Sequence, residues 1–445
     1  MSARPRARGP LAALVALFTA GYLAPYLLPT VVGRLAAGLG LGPAQAGLVG
    51  SVLLLGSASA GFTLAARVER VGPRRAARLG LLAMALGYGS AAATGSLPLV
   101  VAGVVLGGFG SGSATAVAAS GIAGRPDPQR ASTLGLLSVS AAAGVLYLTL
   151  PRLGGGHAPP LLALAGAAVL VWPVTGRLPG ATRAYRGVAA AEAAGPLPYR
   201  RAGAVLAGCV LAWSMAQNAL WGVSGRIGTG QAGLSEVTAG AVFAVALGGG
   251  LAGVTAAGAL GSRLGRAVPI GAGTVLIAAC VLLSANAEGL ASFATGEVLW
   301  NTVYPVVLSY LLGLAASLDP RGRWAVLVGS ASSLGTACGP VVGSVLSQAA
   351  GFPVMGAVLA GLLLAVAGPM AVVARHASGR PLVPGSIRRR GGAPAAFVAG
   401  AAPATTALLP QVGAPEQEIA AIPAPVAGRR RPVRSAFRLA RPGRG

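Results

Sequence analysis

Charge is confined to short intervals of this 445-residue chain, and between them run long stretches almost free of acids and bases. The first, 9–33, is long enough to span a bilayer, which takes roughly 20 apolar residues of helix. Further spans follow at about 46–66, 79–95, 97–122, 131–151, 158–176, 202–223, 237–260, 267–286, 289–314, 324–346 and 353–374. Backbone polar groups in lipid must be satisfied within the segment, so these stretches are read as helices. Charged residues make up 10% of the chain, against about a quarter in soluble domains. The expected fold is an all-α membrane protein with twelve transmembrane helices in two pseudo-symmetric six-helix halves.

Cytoplasmic loops carry an excess of Lys and Arg, and this rule tests the count. With the N-terminus inside, alternate loops hold Arg67, Arg70, Arg74, Arg75 and Arg78, then Arg125 and Arg130. Next come Arg177, Arg183, Arg186, Arg200 and Arg201, then Arg263 and Arg266, then Arg321 and Arg323. The opposite loops hold Arg34, Arg152 and Arg226. Counting both termini as inside, 31 of the 34 arginines lie on one side. Dropping one helix would move later arginines across, so the even count stands. The expectation is an integral, multi-pass plasma-membrane protein with both termini cytoplasmic. Arg4, Arg6 and Arg8 resemble the basic start of a secretory signal, but the apolar run to Gly33 exceeds a signal core of about 7–15 residues. It reads as an uncleaved first helix.

Four segments follow: an N-terminal six-helix half (1–178), a cytoplasmic linker (179–201), a C-terminal six-helix half (202–376) and a tail (377–445). The tail is rich in Pro, Ala, Gly and Arg, with clusters Arg388-Arg389-Arg390 and Arg429-Arg430-Arg431. It is expected to be a disordered basic cytoplasmic segment. Anionic lipid is a possible contact for it; a solvated tail that supports topology explains it equally well.

Several chemistries are excluded. All 34 basic residues are arginine, so no P-loop lysine is present for a nucleotide. Nor is there a lysine for a retinal or pyridoxal Schiff base. Cys209, Cys280 and Cys338 lie within spans and read as small packing residues rather than as a disulfide or metal pattern. His157 and His376 fall in loops. No cofactor, metal site or catalytic constellation is expected, no specific nucleic-acid partner, and no enzyme activity.

The loop between spans two and three reads Ala65-Ala66-Arg67-Val68-Glu69-Arg70-Val71-Gly72-Pro73-Arg74-Arg75. Its counterpart in the second half reads Gly258-Ala259-Leu260-Gly261-Ser262-Arg263-Leu264-Gly265-Arg266. Both resemble the G-x-L-a-D-R-x-G-R-R signature of the major facilitator superfamily, at equivalent positions of two six-helix halves. The resemblance covers about residues 10–376. It implies a cytoplasmic gate at Glu69, Arg70, Gly72, Arg74, Arg263, Gly265 and Arg266, in which a carboxylate and arginines clamp inward helix ends. Ser262 replaces the acid in the second copy, which places more of the gating on Glu69. In span eleven, Gly335-Thr336-Ala337-Cys338-Gly339-Pro340-Val341-Val342-Gly343-Ser344 resembles the family's antiporter motif, but in the equivalent helix of the other half. Small residues every four positions allow close helix packing, and Gly335, Gly339, Pro340 and Gly343 are read as a helix hinge. Span four lacks the intramembrane Arg of drug antiporters near Val104.

Glu297 is the one carboxylate inside a span. It lies about nine residues into span ten, roughly 12 Å from the outer end at 1.5 Å per residue. An ionisable group at membrane depth is costly and by default a functional hypothesis; the alternative is a glutamate satisfied by interhelical hydrogen bonds. Trp300, Asn301 and Tyr304 follow on the same helical face. Span one carries Phe18, Tyr22 and Tyr26, with Pro25 as a bend. Span seven carries Trp213, Gln217 and Trp221, with Asn218 adjacent. The resemblance implies that spans one, four, seven and ten line a central cavity. Tyr22, Tyr26, Gln217, Asn218, Trp221, Trp300, Asn301 and Tyr304 are then its walls, and span four lines it with Gly and Ser. An interfacial aromatic belt competes for Tyr26 and Trp221, but not for Gln217 and Asn218.

The expected function is a secondary active transporter working by alternating access, with Glu297 carrying the proton. An aromatic site with one acid suits an amphipathic, neutral or cationic organic solute, exported across the plasma membrane by a monomer. The alternatives are a proton symporter or uniporter for uptake, or a transporter-like sensor or assembly partner acting through the tail.

Overall fold

A computed structural model describes residues 8–65, 71–125, 127–178, 197–261, 264–319 and 322–378, with 396–397 and 419–420. The first span is two helices, α1 (Arg8–Tyr26) and α2 (Leu28–Leu39). The spans two to five are α3 (Pro43–Ala65), α4 (Pro73–Ala92), α5 (Leu97–Ala123) and α6 (Pro128–Thr149). Span six is α7 (Ala158–Val171), continued by the 3-10 turn Trp172–Arg177. Spans seven to ten are α8 (Arg200–Arg226), α9 (Glu236–Leu260), α10 (Ala267–Ala285) and α11 (Leu290–Leu318). Spans eleven and twelve run together as α12 (Arg323–Ser378).

Ten of these helices are long and apolar enough to cross a bilayer. α12 holds two crossings, because Gly351 takes φ 78° inside it and the chain turns there. A positive φ is tolerated by glycine, which has no Cβ to clash. α4 carries Arg74, Arg75 and Arg78 at its start and is the twelfth crossing. The twelve-helix, all-α architecture is therefore as expected.

Local chemistry sets the helix starts. Proline stands in the first turn of α2, α4, α5 and α6, where its missing N–H costs nothing. Asp127 caps α6 by accepting from the Arg130 N–H at 3.0 Å, and Ser235 caps α9 by accepting from the Thr238 N–H at 3.1 Å; both satisfy donors that a helix start leaves orphaned.

The helices before and after 179–196 pack as two groups. In the first, α5 is central, against α1, α3 and α4. In the second, α12 packs on α8 and α10, and α11 on α9 and α10. The groups meet where α3 lies on α12, α6 on α9 and α2 on α8. Most of the expected linker and tail lies outside the described residues; in the tail, Ala396–Phe397 and Ile419–Ala420 pair antiparallel.

Candidate functional site

Glu297 sits on α11 with none of its surface exposed. Across the gap, the Ser224 hydroxyl of α8 donates to Glu297 Oε1 at 2.8 Å. Ser284 of α10 approaches the same turn through a notch at Gly296, where a side chain would collide with its hydroxyl. The acid is thus met by hydroxyls, while its helix presents aromatic rings one and two turns further along.

Those rings form a continuous packed cluster between α8, α9 and α11. Trp213 and Tyr304 stack at 5.0 Å with 12° between planes. Trp300 lies 5.9 Å from Tyr304 and 5.5 Å from Trp221. Phe243 extends the cluster from Trp221 to Phe293, both edge-on, and to Tyr147 of α6 at 5.1 Å. Offset and edge-to-face pairs of this kind add about 0.5–1.5 kcal/mol each beyond area burial. Gln217 ties two helices: its Oε1 accepts from the Trp300 indole N–H at 2.9 Å, and its Nε2 donates to the Trp213 carbonyl at 3.3 Å. Asn301 donates to the Glu297 carbonyl at 3.0 Å, within its own helix.

The first half reaches this cluster through the kink in span one. Pro29 has no N–H for the carbonyl of Pro25, which is therefore free to bond elsewhere. The Trp221 indole N–H takes it at 3.1 Å, joining the two halves. The Tyr147 hydroxyl donates to the neighbouring Tyr26 carbonyl at 2.5 Å. Tyr26 and Trp221 are both fully buried, so neither forms a lipid-interface belt. Tyr22 packs on Phe18 with ring centroids 4.4 Å apart. Asn218 turns away from Trp300 toward α12, donating to Thr336 Oγ1 at 3.3 Å and to the Ser214 carbonyl at 2.9 Å. One turn back, Ser214 and Ser332 share a hydrogen bond of 2.7 Å. Asn218 thus belongs to a polar seam between α8 and α12, one step removed from the aromatic cluster.

Glu69, Arg70 and Arg263 lie outside the described residues. Gly72 takes φ 85° at the turn into α4, and Gly265 takes φ 68°. Arg74 donates to the carbonyls of Gly176 and Leu178 at 2.7 and 2.8 Å, both within its own half. Arg266 donates to Ser317 Oγ at 2.6 Å, at the end of α11. Arg74 and Arg266 therefore each anchor a helix end of the half they belong to.

The α12 glycines form a cradle for α8. A side chain at Gly335 would overlap the Leu211 carbonyl, and one at Gly343 the Ala219 carbonyl; at Gly339 it would strike the Asn218 and Ala219 backbone. Pro340 lies against Gly222 of α8 and Gly50 of α3. In α5 the small residues serve packing rather than a cavity wall. Gly108 and Gly112 admit the Leu53 and Ser57 carbonyls of α3, while Gly107 and Gly110 admit Tyr88 and Met84 of α4. Small residues let helix backbones approach closely, which is where packing in membranes gains most.

Three further side chains, Arg34, Glu236 and Arg226, stand at the arginine-poor end. Arg34 is 7% exposed and donates from Nη2 to Glu236 Oε2 at 2.6 Å, across the two halves. It also donates to the carbonyls of Leu150 and Gly154, just beyond the end of α6. Arg226 donates to Ser344 Oγ at 3.0 Å, within the second half. The signal in the sequence was their side: an arginine that defies the positive-inside bias calls for another reason to be there.

Twelve membrane helices in two packed groups, with a buried carboxylate in the second and an aromatic cluster reaching across to the first, define a polytopic membrane protein of transporter type. The family model of the Major Facilitator Superfamily matches residues 11–323, and the chain belongs to that superfamily. It is a family of transporters rather than of enzymes, and the protein is an integral multi-pass membrane transporter. Among solved structures, a variant of the nucleoside transporter NupG aligns at TM-score 0.66 and 12% identity, covering 82% of this chain and 99% of that one. A bacterial homolog of the human lysosomal transporter Spinster, inward-facing and unoccupied, aligns at TM-score 0.60 and 15% identity over 85% and 96%. The human organic anion transporter MFSD10 (TETRAN) aligns at TM-score 0.57 and 19% identity over 82% and 99%. No curated protein sequence matches.

Proposed function

We propose that this protein is a proton-coupled secondary transporter that exports an amphipathic, neutral or cationic organic solute across the plasma membrane, with both termini cytoplasmic. The halves, 1–178 and 202–376 joined by the 179–201 linker, rock about a site near the bilayer midplane. The observation that carries this reading is Glu297, fully buried, hydrogen-bonded to Ser224, and on the same helix face as Trp300 and Tyr304. A carboxylate in so enclosed a place is costly as a bare charge. Carrying a proton or facing an organic cation relieves that cost, and aromatic faces attract cations in the same way. Export of one coupled to entry of the other follows from competition at a single acid.

In this conformation the arginine-poor, outward side is closed. Ser51 Oγ accepts from the Val341 N–H at 3.0 Å and Gln348 Oε1 accepts from the Ala44 N–H at 2.9 Å, both between α3 and α12. The Trp221–Pro25 bond lies deeper on the same side.

The test uses proteoliposomes with an imposed pH gradient and ethidium as the cationic probe, alongside a panel of neutral dyes. Gradient-driven exchange is expected in the wild type and its loss in Glu297→Gln. Full gradient-driven transport by Glu297→Gln overturns the coupling assignment. Co-directional movement of proton and dye establishes symport instead, and transport indifferent to the gradient establishes uniport. Deleting 377–445 without loss of transport removes the tail-dependent sensor reading.

A further inference from the structure

The outward closure ends in one ion pair, and its surroundings point to a latch. Arg34 lies on α2 of the first half and Glu236 in the first turn of α9 of the second, 202 residues apart in the chain. Their side chains meet at 2.6 Å. Arg34 is almost wholly enclosed and also donates to the Leu150 and Gly154 carbonyls, just beyond the end of α6. Glu236 is half exposed and sits at a helix start, where a negative charge is favoured by the helix dipole. One guanidinium thus joins α2, the end of α6 and the start of α9.

Directly beneath the pair, α6 and α9 run in close contact. One helical turn below Glu236, Gly240 admits the Tyr147 carbonyl so closely that any side chain there would overlap it. A further turn down, Ala244 faces Gly144, where an added methyl group would just reach the Ala244 side chain. Tyr147 in turn rests on Phe243 and bonds the Tyr26 carbonyl. The seam therefore continues from the ion pair into the aromatic cluster on the Glu297 side of the protein.

We propose that Arg34 and Glu236 form the latch that holds the arginine-poor side shut, and that parting this pair begins the separation of α6 from α9 that exposes the site to that side. The proposal rests on the alternating-access reading above but is tested without any transport measurement. It also explains why an arginine is kept on the side where membrane topology disfavours it.

The experiment uses the full chain in nanodiscs, with Cys209, Cys280 and Cys338 replaced by Ala. Spin labels are placed at Ala37→Cys on α2 and Thr229→Cys beyond α8, both exposed. Double electron–electron resonance then reads the distance between the halves. The expected result for Glu236→Gln is a growth of the longer-distance population by roughly two- to fivefold, the range for an ion pair with one exposed partner. Raising salt toward 1 M should move the unsubstituted latch in the same direction, because the exposed end is screened. The exchange Arg34→Glu with Glu236→Arg should restore the short distance. Gly240→Val should widen the seam with the charges intact.

Arg34 variants that fail to fold leave Glu236→Gln as the deciding measurement, since Glu236 is exposed at a helix start. Unchanged distances in Glu236→Gln and at high salt, with Gly240→Val still opening the seam, would overturn the latch while leaving alternating access standing. A single fixed distance in every variant, Gly240→Val included, would overturn the latch together with the alternating-access reading.

Discussion

Ser224 of α8 donates a hydrogen bond to Glu297 of α11 across 2.8 Å, between two helices of the second half and beside the ring of Trp221 one turn away. Its hydroxyl lies against a carboxylate that the membrane would otherwise exclude. The Leu220 carbonyl of its own helix is also within reach of the Ser224 hydroxyl, at 3.1 Å, so its single proton can alternate between the acid and the backbone as Glu297 changes state.

Replacing Ser224 with Ala is expected to cut gradient-driven dye exchange several-fold, and Ser224→Thr to retain most of it, because Thr keeps the hydroxyl. Hydrogen bonds to a charged group are worth about 1.5–3 kcal/mol. The measurement is the initial rate in proteoliposomes across a series of imposed gradients. Equal rates for Ser224→Ala and wild type would show that the acid works without this donor.

The Gln217–Trp300 bond is the second link between α8 and α11. Gln217→Leu fills nearly the same space but leaves the buried indole N–H unpaired, a penalty of about 1–3 kcal/mol. Trp300→Phe removes the donor as well, so the double variant should lose less than the sum of the singles. Thermal melts of purified protein in detergent check this. Additive losses would mean that the two side chains are energetically independent.

The α12 glycines should divide sharply by neighbour. Gly343→Ala forces a methyl group into the Ala219 carbonyl and should destabilise the fold by about 1–3 kcal/mol, the usual cost of overpacking. Gly361→Ala and Gly368→Ala, in the second crossing of α12 with open space around them, should be neutral or stabilising by about 0.5–1 kcal/mol. Melting midpoints of the three variants give the comparison; a similar loss in all three would refute the cradle.

Orientation is checked in intact cells with a membrane-impermeant maleimide, in a background lacking the three native cysteines. Leu153→Cys, exposed after α6, should label from outside, and Tyr199→Cys, exposed before α8, after permeabilisation alone. The reverse pattern would invert the topology and exchange the inward and outward assignments.

Much of the fold was legible along the chain because crossing a bilayer is decided locally. The long alanine-, valine-, leucine- and glycine-rich helices α5, α9 and α10 declare themselves whatever they touch, and Gly351 marks the turn inside α12 that hydropathy alone blurs. Glu297 stood out for the same local reason: one acid in an otherwise uncharged span. The small residues of α5 could not be assigned a direction, since a stripe that lines a cavity and one that admits a neighbouring backbone have the same composition. The structure turns them toward α3 and α4.

Sequence by itself determined the number of spans, the side on which arginine accumulates, the signature loops and the presence of a buried acid. Each depends on transfer of a residue or a short run from water to lipid. Tertiary structure decided the partners: Ser224 for Glu297, Gln217 for Trp300, and Glu236 for Arg34, the last 202 residues away. Hydropathy ranks how much a side chain resists the membrane. Which neighbour satisfies it depends on how distant helices pack, and no local property of the chain carries that information.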